Sequence, residues 1–215
     1  MLSYLDHAAS FTASQRIEGD YCEFGVYTGR SFVHAYRAIR LAERTWTQAP
    51  RRRLFAFDSF QGLPEPGPLD SAYRHFREGS LSATEAEFRA NLQRGRVDPT
   101  RVRVVTGWYD QVLSADLVQR EGLDAVAVAL LDCDLYESAV PVFEFLTPLL
   151  SDGAVLIIDD WYLFRGNPGL GVQRAFHEWR EKQTEVSVSE FPWVSGSFQR
   201  AFIAHRLVPD RGERG

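Results

Sequence analysis

The chain has 215 residues, a net charge of −5, and 45% hydrophobic and 25% charged residues. That balance fits one soluble globular domain with a sizeable core and excludes nucleic-acid binding driven by a basic surface. No apolar run of about 18 residues is available to span a membrane, and two cysteines, Cys22 and Cys133, are too few for a disulfide framework.

The first stretch, MLSYLDHAASFTASQ, has no basic segment leading into an apolar one. A secretion signal is therefore not expected, and a reduced cytoplasmic location is. Residues 1–20 are expected to form an N-terminal helical lid. YCEFGVY (21–27) reads as the first strand, and RSFVHAYRAIRLAER (30–44) as a helix with Phe32, Ala35, Tyr36 and Ile39 on one face. RLFAFDSF (53–60) is the second strand. Residues 61–83 are expected to be a lid loop, since long irregular segments in compact domains are commonly functional; Tyr73 and His75 are its candidate substrate contacts.

ATEAEFRANLQR (83–94) reads as a helix in which Thr84 and Glu87 form a capping box. RVRVVTGW (101–108), AVAVALLDCD (125–134) and GAVLIIDD (153–160) are further strands, and several of the five runs are apolar almost without alternation, as in a parallel sheet covered on both faces. ESAVPVFEFLTPLL (137–150), with Pro141 in its expected first turn, and LGVQRAFHEWREK (170–182) read as helices. EVSVSEF (185–191) and QRAFIAHR (199–206) look like a final antiparallel pair joined by PWVSGS. The whole is a doubly wound α/β sheet spanning residues 1–207, followed by a disordered tail at 208–215.

Ligands of such sheets bind beyond the carboxyl ends of the strands. Read there, the strands end at Glu23 to Ser31, Asp58, Gly107–Trp108, Asp132–Asp134 and Asp159–Asp160. Asp110 and Asp20 are explicable as helix caps; the set as a whole is not. The glycines after the first strand allow close backbone approach, the helix from Arg30 offers free N–H groups to a carboxylate, and Asp58 is placed for ribose hydroxyls. GVYTG is not G-x-G-x-x-G, which disfavours a nicotinamide dinucleotide. In an extended strand Asp132 and Asp134 share a face, with Cys133 turned away. Two carboxylates ~4 Å apart repel by roughly 4 kcal/mol at an effective dielectric of 20. A hard cation such as Mg²⁺ removes that conflict. Lys182, the only lysine, lies in a charged segment, so a lysine-based mechanism has little to draw on.

GDYCEFGVYTGRSF, FAFDSFQGLPEP, LLDCDLYES and LIIDDW, in that order across roughly residues 19–182, resemble the macrocin O-methyltransferase family (TylF/MycF/NovP type). The resemblance implies a class I S-adenosylmethionine-dependent, Mg²⁺-dependent O-methyltransferase with seven strands, the last antiparallel. By motif, Glu23 and Gly25 would line the methionine part of the donor, Ser31 would meet its carboxylate and Asp58 its ribose. Gly107 and Trp108 would lie by the adenine, and Tyr27, Gly29 and Ser59 would also belong to the donor site. Asp132, beside the donor, would hold Mg²⁺ with Asp159 and Asp160, and Asp134 would be the general base. Catechol-type relatives place a lysine three residues past the first metal ligand; here that residue is Leu135. The segment before residue 20 is short for the family, which implies a different lid.

The implied acceptor is a small-molecule vicinal diol, a sugar or phenolic moiety of a natural product, and the implied assembly a homodimer or higher homo-oligomer. No nucleic-acid or membrane partner is expected. Trp161 and Tyr162 are candidate pocket walls, and Arg165 a candidate contact for an acidic acceptor group. Two rival readings stay open: a metal-dependent glycosyltransferase using DCD as its D-x-D, and a non-catalytic S-adenosylmethionine-binding protein.

Overall fold

The computed structural model describes residues 2–71, 76–192 and 198–207. Tyr73, His75, most of the PWVSGS link and the 208–215 tail lie outside the described residues. In chain order the elements are α1 (Leu2–Ser14), β1 (Asp20–Phe24), α2 (Arg30–Thr45), β2 (Leu54–Asp58), α3 (Glu85–Arg94), β3 (Val102–Thr106), α4 (Tyr109–Val112), α5 (Ala115–Glu121), β4 (Val126–Leu131), α6 (Tyr136–Leu146), β5 (Leu150–Ile158), α7 (Gly171–Lys182), β6 (Val186–Glu190) and β7 (Arg200–Arg206).

The seven strands form one sheet in the order β3-β2-β1-β4-β5-β7-β6. Every pairing is parallel except the two made by β7, as expected. The apolar runs follow from this: both faces of the sheet are covered, so successive residues of one strand enter different cores. Cys22, Phe24, Phe57 and Leu131 meet Phe143 of α6 and Phe176 and Trp179 of α7. Tyr21, Ala56, Leu130 and Ile157 meet Tyr4 of α1, Phe32 and Ile39 of α2, and Phe88 of α3. Phe24 and Phe57 stack at 4.6 Å across β1 and β2, directly beneath the strand tips.

Several expectations change. α1 is part of the second core: Tyr4, Leu5, Ala8 and Ala9 are buried, and the helix packs on α2, β4 and β5. It is a layer of the fold, because its apolar residues follow helical spacing and need a sheet face to cover. α6 begins at Tyr136, so Pro141 lies in its interior. It cannot donate a hydrogen bond to the carbonyl of Glu137, and it borders the cleft. Asp110 lies within the first turn of α4, whose N-cap is Trp108. Asp20 caps no helix; it opens β1 and pairs with Arg53 at 2.6 Å. Periodicity gives no bounds for the short helices α4 and α5, since four and seven residues show little of it. The Thr84–Glu87 capping box is present in both directions.

Candidate active site

The sheet reverses its winding between β1 and β4, and a cleft of about 570 Å³ opens above the strand tips there. One end is lined by Gly25, Tyr27, Asp58, Ser59, Gly107 and Trp108, the other by Asp132, Cys133, Asp134, Asp159 and Asp160. Gly62, Leu63 and Pro64 of the long loop, with Leu81, supply part of its wall.

Glycine is required where β1 and β4 meet. Gly25 has φ +87°, and a Cβ there would lie 1.9 Å from the carbonyl oxygen of Asp132. Asp58 ties the neighbouring loops together. Its Oδ2 accepts N–H groups from Val26 at 2.9 Å and Tyr27 at 3.0 Å, and its Oδ1 accepts from Phe60 at 2.8 Å. Ser59 serves the same turn, accepting from the Gln61 N–H at 3.1 Å.

Glu23, Gly29 and Ser31, expected at the donor, are not among the residues that line this cleft. Glu23 is fully buried and accepts hydrogen bonds from the hydroxyls of Tyr21 and Ser31, each at 2.5 Å. Burial pushes its carboxyl up to about 8, although both hydroxyls favour the charged form. Gly29, at φ +84°, is the N-cap of α2, and a Cβ there would strike the Phe88 ring at 2.8 Å. Its lack of a side chain serves the packing of α3. Trp161 and Tyr162 are not pocket walls: Trp161 packs with Phe176 and Phe202, and the Tyr162 hydroxyl accepts from Arg200. Arg165 is exposed and does not line the cleft.

The acid end gathers as expected, by a different local route. β4 ends at Leu131, and Asp134 adopts φ +57°, so the strand does not extend through DCD. The Leu135 N–H donates to the Cys133 carbonyl at 2.6 Å, closing a tight turn around Asp134. Asp160, at the tip of β5, also has a left-handed backbone, φ +55°. One carboxylate oxygen each from Asp132, Asp159 and Asp160 lie within 4.8 Å of one another. Burial, then the charges of Asp159 and Asp160, push the Asp132 carboxyl well above its ordinary range. Burial and the hydrogen-bonded neighbour Asp134 push Asp160 up to about 9, while Asp134, which accepts that bond, rises to about 6. Among the described residues no Arg, Lys or His forms an ion pair with any of these four acids. Converging, desolvated oxygen donors without a balancing cation fit a hard divalent ion.

Sequence reasoning missed Asp70, Gln199, Glu137 and Ser138. Asp70, fully buried in the long loop, accepts the N–H of Tyr136 at 2.8 Å and so caps α6 from 66 residues away. Gln199 donates to Asp159 Oδ1 at 2.6 Å. Glu137 and Ser138 border the cleft from the first turn of α6.

Sheet order and a strand-tip cleft at the winding reversal define a class I methyltransferase fold. The O-methyltransferase NovP superposes with a TM-score of 0.76 at 24% identity, over 95% of this chain and 79% of that one. The calicheamicin methyltransferase CalS11 does so at 0.67 and 21%, over 96% and 78%. Residues 1–198 match the family Macrocin-O-methyltransferase (TylF), and the chain belongs to that family. A relative from Streptomyces olivaceus, 8-demethyl-8-(2,3-dimethoxy-alpha-L-rhamnosyl)-tetracenomycin-C 4'-O-methyltransferase, is 33% identical over 74% of this chain and 59% of its own length. The demethyldecarbamoylnovobiocin O-methyltransferase of Streptomyces niveus is 29% identical over 68% of this chain and 54% of its own. The chain thus spans little more than half the length of these two relatives.

Proposed function

We propose that the protein is an S-adenosylmethionine- and Mg²⁺-dependent O-methyltransferase acting on one hydroxyl of a vicinal diol, in a sugar or phenolic part of a natural product. The observation that carries this reading is one continuous cleft with a glycine- and Asp58-lined end and a four-acid end. The relative named for methylation of a rhamnosyl 4'-oxygen supports a sugar acceptor; the diol rests on the cation reading of the four-acid end alone.

The donor supplies an electrophilic methyl group. A divalent ion held by Asp132, Asp159 and Asp160 would neutralise the cluster and lower the pKa of an adjacent hydroxyl. The remaining work falls to the chain. Asp58 has used three of its roughly four acceptor positions on backbone N–H groups, which leaves one for a ribose hydroxyl. Gly25 and Gly107 let the donor lie against the backbone. Leu63, Pro64 and Leu81 shield the acceptor from water. Asp134 takes the hydroxyl proton as the oxygen bonds to the methyl carbon and the carbon–sulfur bond breaks.

A glycosyltransferase reading has D-x-D in its favour, but it leaves the Asp159–Asp160 tip and the Gly25–Asp58 end without a role. Thermal shift separates the methyltransferase from the glycosyltransferase reading, and turnover separates it from a binding protein. S-adenosylmethionine should raise the Tm and a uridine diphosphate sugar should not. Turnover of a diol acceptor should stop in excess chelator and return with Mg²⁺. Full activity in chelator would remove the cation from the mechanism, and donor binding without turnover of any diol would favour a binding protein. A homodimer, which the family resemblance implies, is tested by light scattering. Among the described residues no helix is long and apolar enough to cross a membrane, and Cys22 and Cys133 are free, buried thiols, in keeping with a cytoplasmic site of action.

A further inference from the structure

Gln199 has no role in the mechanism above, yet it touches the acid cluster. It lies one residue before β7. The antiparallel register pairs Ile158 with Arg200, and one step further sets Gln199 opposite Asp159. Its Nε2 donates to Asp159 Oδ1 at 2.6 Å, and the Asp160 N–H donates to the same oxygen at 3.0 Å. Two donors on one oxygen fix the plane of the carboxylate and leave Oδ2 to the cluster. The Gln199 carbonyl also faces the hydroxyl of Tyr4, a buried residue of α1, at 3.5 Å.

We infer that Gln199 is a positioning residue for the cation site, holding Asp159 in its ligating orientation through a hydrogen bond delivered by the antiparallel strand β7. This rests on the cation reading above. Donors that orient metal ligands typically contribute about 10–100-fold in metal affinity.

The test uses Gln199→Leu and Gln199→Met, which keep similar bulk and remove the donor; two variants guard against a fold failure in one. Mn²⁺ binding is measured by calorimetry and by paramagnetic resonance. S-adenosylmethionine affinity is measured separately in chelator. Mn²⁺ affinity should fall about 10–100-fold, while donor affinity and Tm in chelator stay at wild-type values. Wild-type Mn²⁺ affinity in both variants overturns the inference. So does a parallel loss of donor affinity and Tm, because a purely structural role would produce it. Wild-type protein that takes up no Mn²⁺ refutes the cation reading itself, and the inference with it.

Discussion

Asp134 holds a left-handed backbone, a conformation that costs a non-glycine residue about 1–3 kcal/mol unless its surroundings impose it. Aspartate and asparagine tolerate that region better than most residues. Asp134→Asn should therefore fold with an unchanged Tm while turnover falls on the order of 10²–10⁴-fold, the usual weight of a positioned base; near-wild-type turnover would assign proton transfer elsewhere. Glu23 poses a different problem. Its carboxyl is raised from 4.5 to about 8, so the folded state holds the proton more tightly than the unfolded chain does. Its contribution to stability is complete below pH 4.5 and is lost as pH rises through 8, at a slope of at most ~1.4 kcal/mol per pH unit. Glu23→Gln should flatten the stability profile across that window in denaturant titrations at successive pH values. An unaltered profile would mean that Glu23 is ionised in the fold. At this scale the sequence shows the acids at strand tips, because a tip is where an apolar run stops. It does not show Asp70 or Gln199, whose partners are 66 and 40 residues away.

Among the elements, β1, β2, β4 and the second half of β5 are legible because burial on both faces leaves almost no other residue choice, whereas the edge strands β3 and β6 show through alternating valines. The function of α1 is not legible, since an amphipathic helix looks the same over a cleft as under a sheet. α6 is the element on which the site depends most: it starts two residues after Asp134, and Leu135, its N-cap, has no side chain able to cap it. Asp70 supplies the missing acceptor from the loop that also contributes to the cleft wall. Asp70→Ala should cost about 0.5–2 kcal/mol, as lost caps do. It should also raise the KM for the acceptor, since that loop is no longer fastened to α6. Asp70→Asn, which keeps an acceptor oxygen, should restore most of both. Equal behaviour of the two variants, by thermal unfolding and steady-state kinetics, would deny Asp70 the capping role.

Over the whole molecule, charge is arranged differently at the two ends of the sheet. At the base, where the parallel strands begin, acids are matched. Asp20 meets Arg53 at 2.6 Å, and the buried Arg101 meets Glu43 at 2.5 Å while also donating to the carbonyl of Arg52. Arg101→Met should cost about 1–3 kcal/mol, because it removes a charged hydrogen-bond partner while Glu43 keeps the Arg52 N–H and the nearby Arg52 charge. It should leave turnover of the surviving folded fraction intact, measurable by urea unfolding alongside initial rates; a loss below 1 kcal/mol would mean that water reaches Glu43 freely. At the tips the acids stand against one another. The glycine-rich and aspartate-rich ends of the cleft can be recognised in the chain because each follows a strand; the wall contributed by residues 62–64 and Leu81 can be placed only in the long loop, because no periodicity marks which of its residues face the cleft. That wall belongs to a connection, not to the sheet. Selection acting on acceptor shape can therefore rewrite it freely, while the matched base keeps the domain folded and a new product can arise without a new enzyme.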